Sequence, residues 1–175
     1  MKVQDKEFEI FISRDNIAKR IKELGAAISE DYKELNPLFI VVLNGGFMFA
    51  SDLLKEVDVP CRLTFIKVSS YQGIASTGIV KKIFGLEEDV KGQHVIVVDD
   101  IIDTGLTMKE VLEELNQKEP ASINLASFIL KPDSLCHPLE MKYIGYTIPN
   151  HFILGYGLDY EGFGRNFKDI YRLKG

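Results

Sequence analysis

Apolar positions along the chain follow two periods. Across residues 7–13, Phe8, Ile10 and Ile12 alternate with polar neighbours, the pattern of a half-buried strand. The period then lengthens. Ile17, Ile21, Leu24 and Ile28 recur at helical spacing behind Ser13, whose hydroxyl can accept from the first free backbone N–H groups. Asn36-Pro37 ends that segment. Leu38–Leu43 is apolar without a break and of strand length, which predicts a strand buried on both faces. Asn44-Gly45-Gly46 interrupts it, and residues 47–57 predict a helix. Residues 62–69 predict a strand, 71–78 a small polar loop and Ile79–Phe84 a return strand. The buried-strand pattern recurs over 94–99, followed by a turn and a helix over about 107–118. Thr107-Met108-Lys109-Glu110 matches the capping box of that helix. Residues 123–130 form a further apolar strand, with shorter candidates at 143–148, 152–155 and Ile170–Leu173.

Strands alternating with helices predict an α/β architecture, a parallel sheet with helices on both faces. Ligands of such sheets bind at the carboxyl ends of the strands. Two of those ends, after Leu43 and after Val98, carry unusual residues. The 175 residues suffice for one domain, 1–175, and no repeat or Pro/Gly/Ser-rich linker divides them. Hydrophobic residues at 46% and charged residues at 27% describe a globular chain. The net charge of −5 argues against a general nucleic-acid binder, because the phosphate backbone rewards cationic surface. Cys61 and Cys136 are the only cysteines and form no close pair, so neither a four-Cys zinc site nor a disulfide framework is expected. With no signal-like N-terminal run and no membrane-length apolar stretch, a cytoplasmic protein without membrane partners is expected.

The richest chemistry lies in Val97-Val98-Asp99-Asp100-Ile101-Ile102-Asp103-Thr104-Gly105-Leu106-Thr107. An apolar strand passes through carboxylates into a helix. Asp103 to Thr107 supply consecutive backbone N–H groups, two hydroxyls and a glycine, an anion cradle at a helix N-terminus. Carboxylates beside an anion would repel it, so Asp99, Asp100 and Asp103 make sense serving hydroxyls, a metal or a proton. The plainer alternative is acids that cap a helix and face solvent. Leu43-Asn44-Gly45-Gly46 alone is an ordinary Gly-rich turn. Beside the phosphate turn it becomes a second candidate for holding phosphate oxygens through backbone N–H groups. Lys131 at a strand end would ordinarily be a solvated charge, and Phe152 and Ile153 ordinary core. His94, His137 and His151 show no metal-ligand spacing.

The segment Asp-Ile-Ile-Asp-Thr-Gly resembles the phosphoribosyl pyrophosphate signature of type I phosphoribosyltransferases, close to the hypoxanthine-guanine branch. The similarity runs from about Leu38 to Arg165 and includes Leu-Asn-Gly-Gly, Ser-Tyr with Ser-Thr-Gly, Lys131, and Leu-Asp-Tyr followed by Arg. It implies the type I fold, a mainly parallel sheet with a small hood built from the terminal segments. It also implies Mg²⁺-dependent transfer of the 5-phosphoribosyl group from phosphoribosyl pyrophosphate to hypoxanthine or guanine. The products would be IMP or GMP and pyrophosphate, in purine salvage by a homodimer or homotetramer.

Residue by residue, the resemblance gives Asp99 and Asp100 the ribose hydroxyls and Mg²⁺. The family often has Glu first in this pair, and the shorter Asp99 would keep the charge but reach through water. Asp103 would be the general acid/base at purine N7, and Thr104, Gly105, Leu106 and Thr107 would surround the 5′-phosphate. Leu43, Asn44, Gly45, Gly46 and Arg165 would bind pyrophosphate, with a cis peptide implied between Leu43 and Asn44. Asn44 stands where the family often has Lys or Arg, which shifts charge compensation to Mg²⁺ and Arg165. Ser70 and Tyr71 would belong to a lid that excludes water. Lys131 would donate to the exocyclic oxygen of a 6-oxopurine, Phe152 would stack on its face, and the Ile153 backbone would read its edge. Asp159 would meet the guanine amino group through its carbonyl and a second Mg²⁺ through its carboxylate. The sequence also admits two rivals. One is a xanthine-preferring transferase; the other is a regulator of the same fold that senses the donor and binds nucleic acid, which the acidic balance disfavours.

Overall fold

A computed structural model describes the backbone of residues 1–72 and 79–175, and the side chains outside residues 69–83. The chain opens with strands β1 (Lys2–Val3) and β2 (Lys6–Ile12) and helix α1 (Arg14–Asp31). Strand β3 (Leu38–Leu43), helix α2 (Phe47–Lys55) and strands β4 (Arg62–Gln72) and β5 (Ile79–Phe84) follow. Then come β6 (His94–Ile102), helix α3 (Leu106–Asn116), β7 (Ser122–Leu130), β8 (Tyr143–Thr147), β9 (Ile153–Leu154) and β10 (Ile170–Leu173). The large sheet has the order β5-β4-β3-β6-β7-β8, parallel throughout except for β5, which pairs antiparallel with β4. The terminal segments build a second, antiparallel sheet in the order β1-β2-β10-β9. This is the expected fold, hood included.

The alternation of strand side chains divides the core into two layers. Phe39, Val41, Ile96 and Val98 face the apolar stripes of α1 (Ile17, Ile21, Leu24, Ile28) and α2 (Phe49, Ala50, Leu53). Leu38, Ile40, Val42, Val95 and Val97 face Met108, Val111 and Leu115 of α3. A strand with helices on both sides has no polar face, which is why Leu38–Leu43 reads as one apolar run.

Local chemistry sets the ends. Ser13 caps α1, its Oγ accepting from the Asn16 N–H at 3.4 Å, as expected. The predicted capping box at Thr107 is wrong. Helix α3 starts from Gly105 at φ 77°, with no side-chain cap, because that left-handed residue already turns the chain into the helix. Two other expectations move outward. Strand β4 continues through Gln72 where a loop was expected from Tyr71, and β6 continues through Ile102 rather than ending at Asp99.

Gly25 marks the closest approach of α1 to the end of α2. A Cβ there would sit 2.5 Å from the Glu56 carbonyl oxygen. Gly25→Ala would gain about 1 kcal/mol of helix propensity. Overpacking against backbone costs about 1–3 kcal/mol, so a net loss of stability is expected. A lower urea midpoint at unchanged m-value would be the signature, and a raised midpoint would show that the helices can separate freely.

Candidate active site

The carboxyl ends of β3 and β6 meet over a cavity of about 310 Å³. Its wall includes Leu43, Gly45, Asp99, Asp100, Asp103, Thr104, Gly105, Thr107 and Arg165, nine of the residues singled out from the sequence. Val42, Val68, Ile101, Ile102 and Met108 also line it and were not anticipated. Val42, Ile101 and Ile102 lie at strand ends, Val68 within β4 and Met108 in the first turn of α3, and apolar side chains at such places look like core.

The pyrophosphate-loop candidate joins β3 to α2. The Leu43–Asn44 peptide is cis, as the resemblance implies. A Cβ on Gly45 would lie 1.8 Å from Asp100 Oδ2, so only glycine lets the loop pass this close to the carboxylate. Gly46 caps α2, and Asn44 is exposed.

Asp99 and Asp100 are the last charged residues of β6, not part of a turn. The Asp99 Oδ1 accepts from the Asp100 N–H at 3.0 Å, and Asp100 Oδ1 accepts from the Ile101 N–H at 2.9 Å. Burial pushes the Asp99 carboxyl well above the ordinary carboxylate range, and the neighbouring Asp100 charge pushes it further. Burial also raises Asp100, while the Arg165 guanidinium acts in the opposite direction. Two crowded carboxyls of this kind gain from a cation placed between them.

Beyond β6 the turn carries Asp103 and Thr104, whose Oγ1 accepts from the Leu106 N–H at 3.4 Å. Leu106 itself is exposed on α3. The parallel register places Ile102 beside Leu130, so the next residue of each strand, Asp103 and Lys131, also come together. Lys131 Nζ donates to Asp103 Oδ2 at 3.1 Å, with the lysine side chain 8% and the aspartate side chain 45% exposed. The sequence placed these two in different roles and did not anticipate their contact.

The remaining candidates sit on the hood side. Arg165 Nη2 pairs with Asp159 Oδ1 at 2.5 Å, and its Nη1 donates to the Gly157 carbonyl at 2.7 Å. Asp159 Oδ2 accepts from the Gly162 N–H at 2.7 Å, so both of its oxygens are engaged. Phe152 is 44% exposed and packs edge-on against Tyr160, with ring centroids 5.5 Å apart. Ile153 is buried in β9 opposite Arg172 of β10. The backbone of Ser70 and Tyr71 lies in β4, opposite Lys81 and Val80. Their side chains, and the Ser76-Thr77-Gly78 motif of the polar loop, lie outside what the structure describes. Among the described residues no three His, Cys, Asp or Glu side chains form a ready metal cluster. No described helix is long and apolar enough to cross a membrane.

Known proteins place this geometry. Residues 12–161 match the phosphoribosyl transferase domain. The hypoxanthine-guanine phosphoribosyltransferase of Streptococcus pneumoniae is 38% identical over 167 residues, which cover 95% of this chain and 93% of the relative. The hypoxanthine-guanine-xanthine phosphoribosyltransferase of Tritrichomonas foetus is 39% identical over 94% of this chain and 91% of its own. A crystal structure of a hypoxanthine-guanine phosphoribosyltransferase from Bacillus anthracis superposes with a TM-score of 0.86 at 30% identity, covering 97% of this chain and 99% of that one. On the strength of the matched domain, these relatives and the shared architecture, the chain belongs to the phosphoribosyl transferase family.

Proposed function

We propose that residues 1–175 form a single domain that transfers the 5-phosphoribosyl group from phosphoribosyl pyrophosphate to hypoxanthine, and to guanine, in purine salvage. The observation that carries this reading is the Lys131–Asp103 pair, 3.1 Å apart at the rim of the phosphate turn. A 6-oxopurine presents O6 and N7 side by side on one edge, an acceptor beside a nitrogen. Lys131 donates to O6 and Asp103 exchanges the N7 proton, while N9 attacks C1′ as pyrophosphate leaves from the other face. An amino group at C6 would meet the lysine donor with a second donor, which disfavours adenine. Phe152 covers the face of the base, and the Ile153 and Asp159 backbones read its far edge.

Thr104, Gly105, Leu106 and Thr107 hold the 5′-phosphate at the start of α3, and Asp99 and Asp100 the ribose hydroxyls. Leu43, Asn44, Gly45, Gly46 and Arg165 receive the pyrophosphate. Ser70 and Tyr71 belong to a cover over the sugar. The carboxylates suit Mg²⁺, an ion that takes few protein ligands and fills its octahedron with water and substrate oxygens. Asp99 and Asp100 would hold one ion, and Asp159 a second once Arg165 turns from it toward pyrophosphate. Bound Mg²⁺ would neutralise charge on the departing pyrophosphate. The free, exposed thiols of Cys61 and Cys136 suit a reducing cytoplasm, where a homodimer or homotetramer is the proposed assembly.

The test is steady-state pyrophosphate release with saturating Mg²⁺ and donor and with hypoxanthine, guanine, xanthine or adenine in turn. Hypoxanthine and guanine should exceed adenine in kcat/KM by on the order of 10²-fold or more. Equal use of adenine would remove Lys131 from the base pocket, and no release with any base would end the enzymatic reading.

A further inference from the structure

Tyr156 sits between two residues of the site without lining the cavity. Its backbone is held at φ 50° between Gly155 at 101° and Gly157 at 98°, and its side chain is buried. The ring packs on Phe128 with centroids 5.1 Å apart, and Phe128 packs on Phe49 of α2 at the same distance. Its hydroxyl crosses to α2 as well, donating to Asp52 Oδ2 at 2.9 Å. Burial, and then the Asp52 charge, hold that hydroxyl above its ordinary pKa, so it stays a donor.

The neighbouring backbone carries this anchorage into the site. Gly157 lies against the pyrophosphate-loop candidate so closely that a Cβ would meet the Gly45 carbonyl oxygen at 2.3 Å. The Tyr156 N–H donates to the Phe167 carbonyl at 2.8 Å and the Gly157 N–H to the Arg165 carbonyl at 2.9 Å. Arg165 returns the contact through its guanidinium to the Gly157 carbonyl. The segment bearing Asp159 and Arg165 therefore takes its distance from the loop 43–46 at Tyr156, and α2, which begins at that loop, supplies the anchor.

We propose that Asp52 and Tyr156 are a positioning pair for the pyrophosphate half of the site, an inference that rests on the function proposed above. Packing does not require the hydroxyl, since phenylalanine would fill the same space. Asp52 is partly exposed and also pairs with Lys55 at 2.8 Å, so it keeps a partner when the tyrosine hydroxyl is removed. What the bond fixes is direction. It sets where Gly157 and Arg165 stand over the loop.

The experiment compares Tyr156→Phe, Asp52→Leu, Asp52→Asn and the combined Tyr156→Phe/Asp52→Leu. It measures KM for phosphoribosyl pyrophosphate and for hypoxanthine, kcat, thermal midpoint, and calorimetric Kd for Mg²⁺-pyrophosphate. Tyr156→Phe and Asp52→Leu should each raise donor KM and pyrophosphate Kd about three- to tenfold, with hypoxanthine KM within about twofold of wild type. Asp52→Asn keeps an acceptor oxygen and should stay near wild type. The combined variant should be no worse than either single one, because both remove the same bond. Lowered thermal midpoints with unchanged donor KM and pyrophosphate Kd would overturn the proposal, as would a hypoxanthine KM that rises as much as the donor KM. If Tyr156→Phe fails to fold, the more exposed Asp52→Leu decides alone. The pyrophosphate Kd needs no turnover. A wild-type protein that binds pyrophosphate in this Asp52-dependent way yet makes no nucleotide would uphold the pair and refute the transferase reading.

Discussion

Asp103→Asn should lower the single-turnover rate of nucleotide formation by about 10²–10⁴-fold, the usual worth of a positioned general acid/base. The substitution is close to isosteric, and the carboxylate it replaces is nearly half exposed, with Lys131 as its hydrogen-bond partner. An asparagine oxygen can still accept from Lys131 Nζ, so the fold and the lysine's position should survive. What disappears is the ability to take and return a proton. Donor KM should move little, because the proposed hold on the phosphate is through backbone N–H groups that the side chain does not supply. Single-turnover measurement matters here, since slow product release would hide a change in the chemical step. A rate equal to wild type under those conditions would remove Asp103 from the acid/base role.

Lys131→Gln should cost roughly ten- to a hundredfold in kcat/KM for hypoxanthine, the equivalent of about 1.5–3 kcal/mol for a charge-assisted hydrogen bond in a closed site. Adenine should lose less or even gain, because a glutamine amide can turn its oxygen toward the C6 amino group. Donor affinity should hold, as Lys131 follows β7 and its ammonium donates to Asp103. The contact with Asp103 adds a further expectation. The two substitutions together should cost less than the product of their separate effects, since groups in direct contact are not independent. If Lys131→Gln abolished donor binding and left base preference intact, the lysine would belong with the phosphates.

Much of the candidate site is legible in the sequence, for a physical reason. A strand covered by helices on both faces must be apolar throughout, so β3, β6 and β7 stand out as runs, and the residues that break each run mark the ligand-binding edge. Where the reading failed, the deciding partner was distant in sequence. The sequence pattern reads β6 as 94–99 followed by a turn. The ladder to β7 nevertheless continues through Asp99 opposite Ser127, Ile101 opposite Ile129 and Ile102 opposite Leu130. That same register brings Asp103 to Lys131, a contact no local pattern encodes. Thr107 and Glu110 have the spacing of a capping box, yet the left-handed Gly105 preempts it. Tyr156 and Asp52 show nothing in the sequence at all: one looks like core and the other like a helix-surface charge.

Strand β3 lies at the centre of the sheet, with β4 on one edge and β6 on the other. Its sequence, Leu-Phe-Ile-Val-Val-Leu, carries no charge and no proline. During synthesis β4 follows soon after it, but the second edge stays open until His94–Ile102 has emerged. For that interval the nascent chain exposes a six-residue apolar edge with the composition of a self-associating segment. The strand that leads into the 43–46 loop is thus also an aggregation hazard, guarded in the finished protein by the strand that carries Asp99 and Asp100. Concentration during folding, more than the stability of the finished domain, should therefore govern how much of the chain reaches the native state.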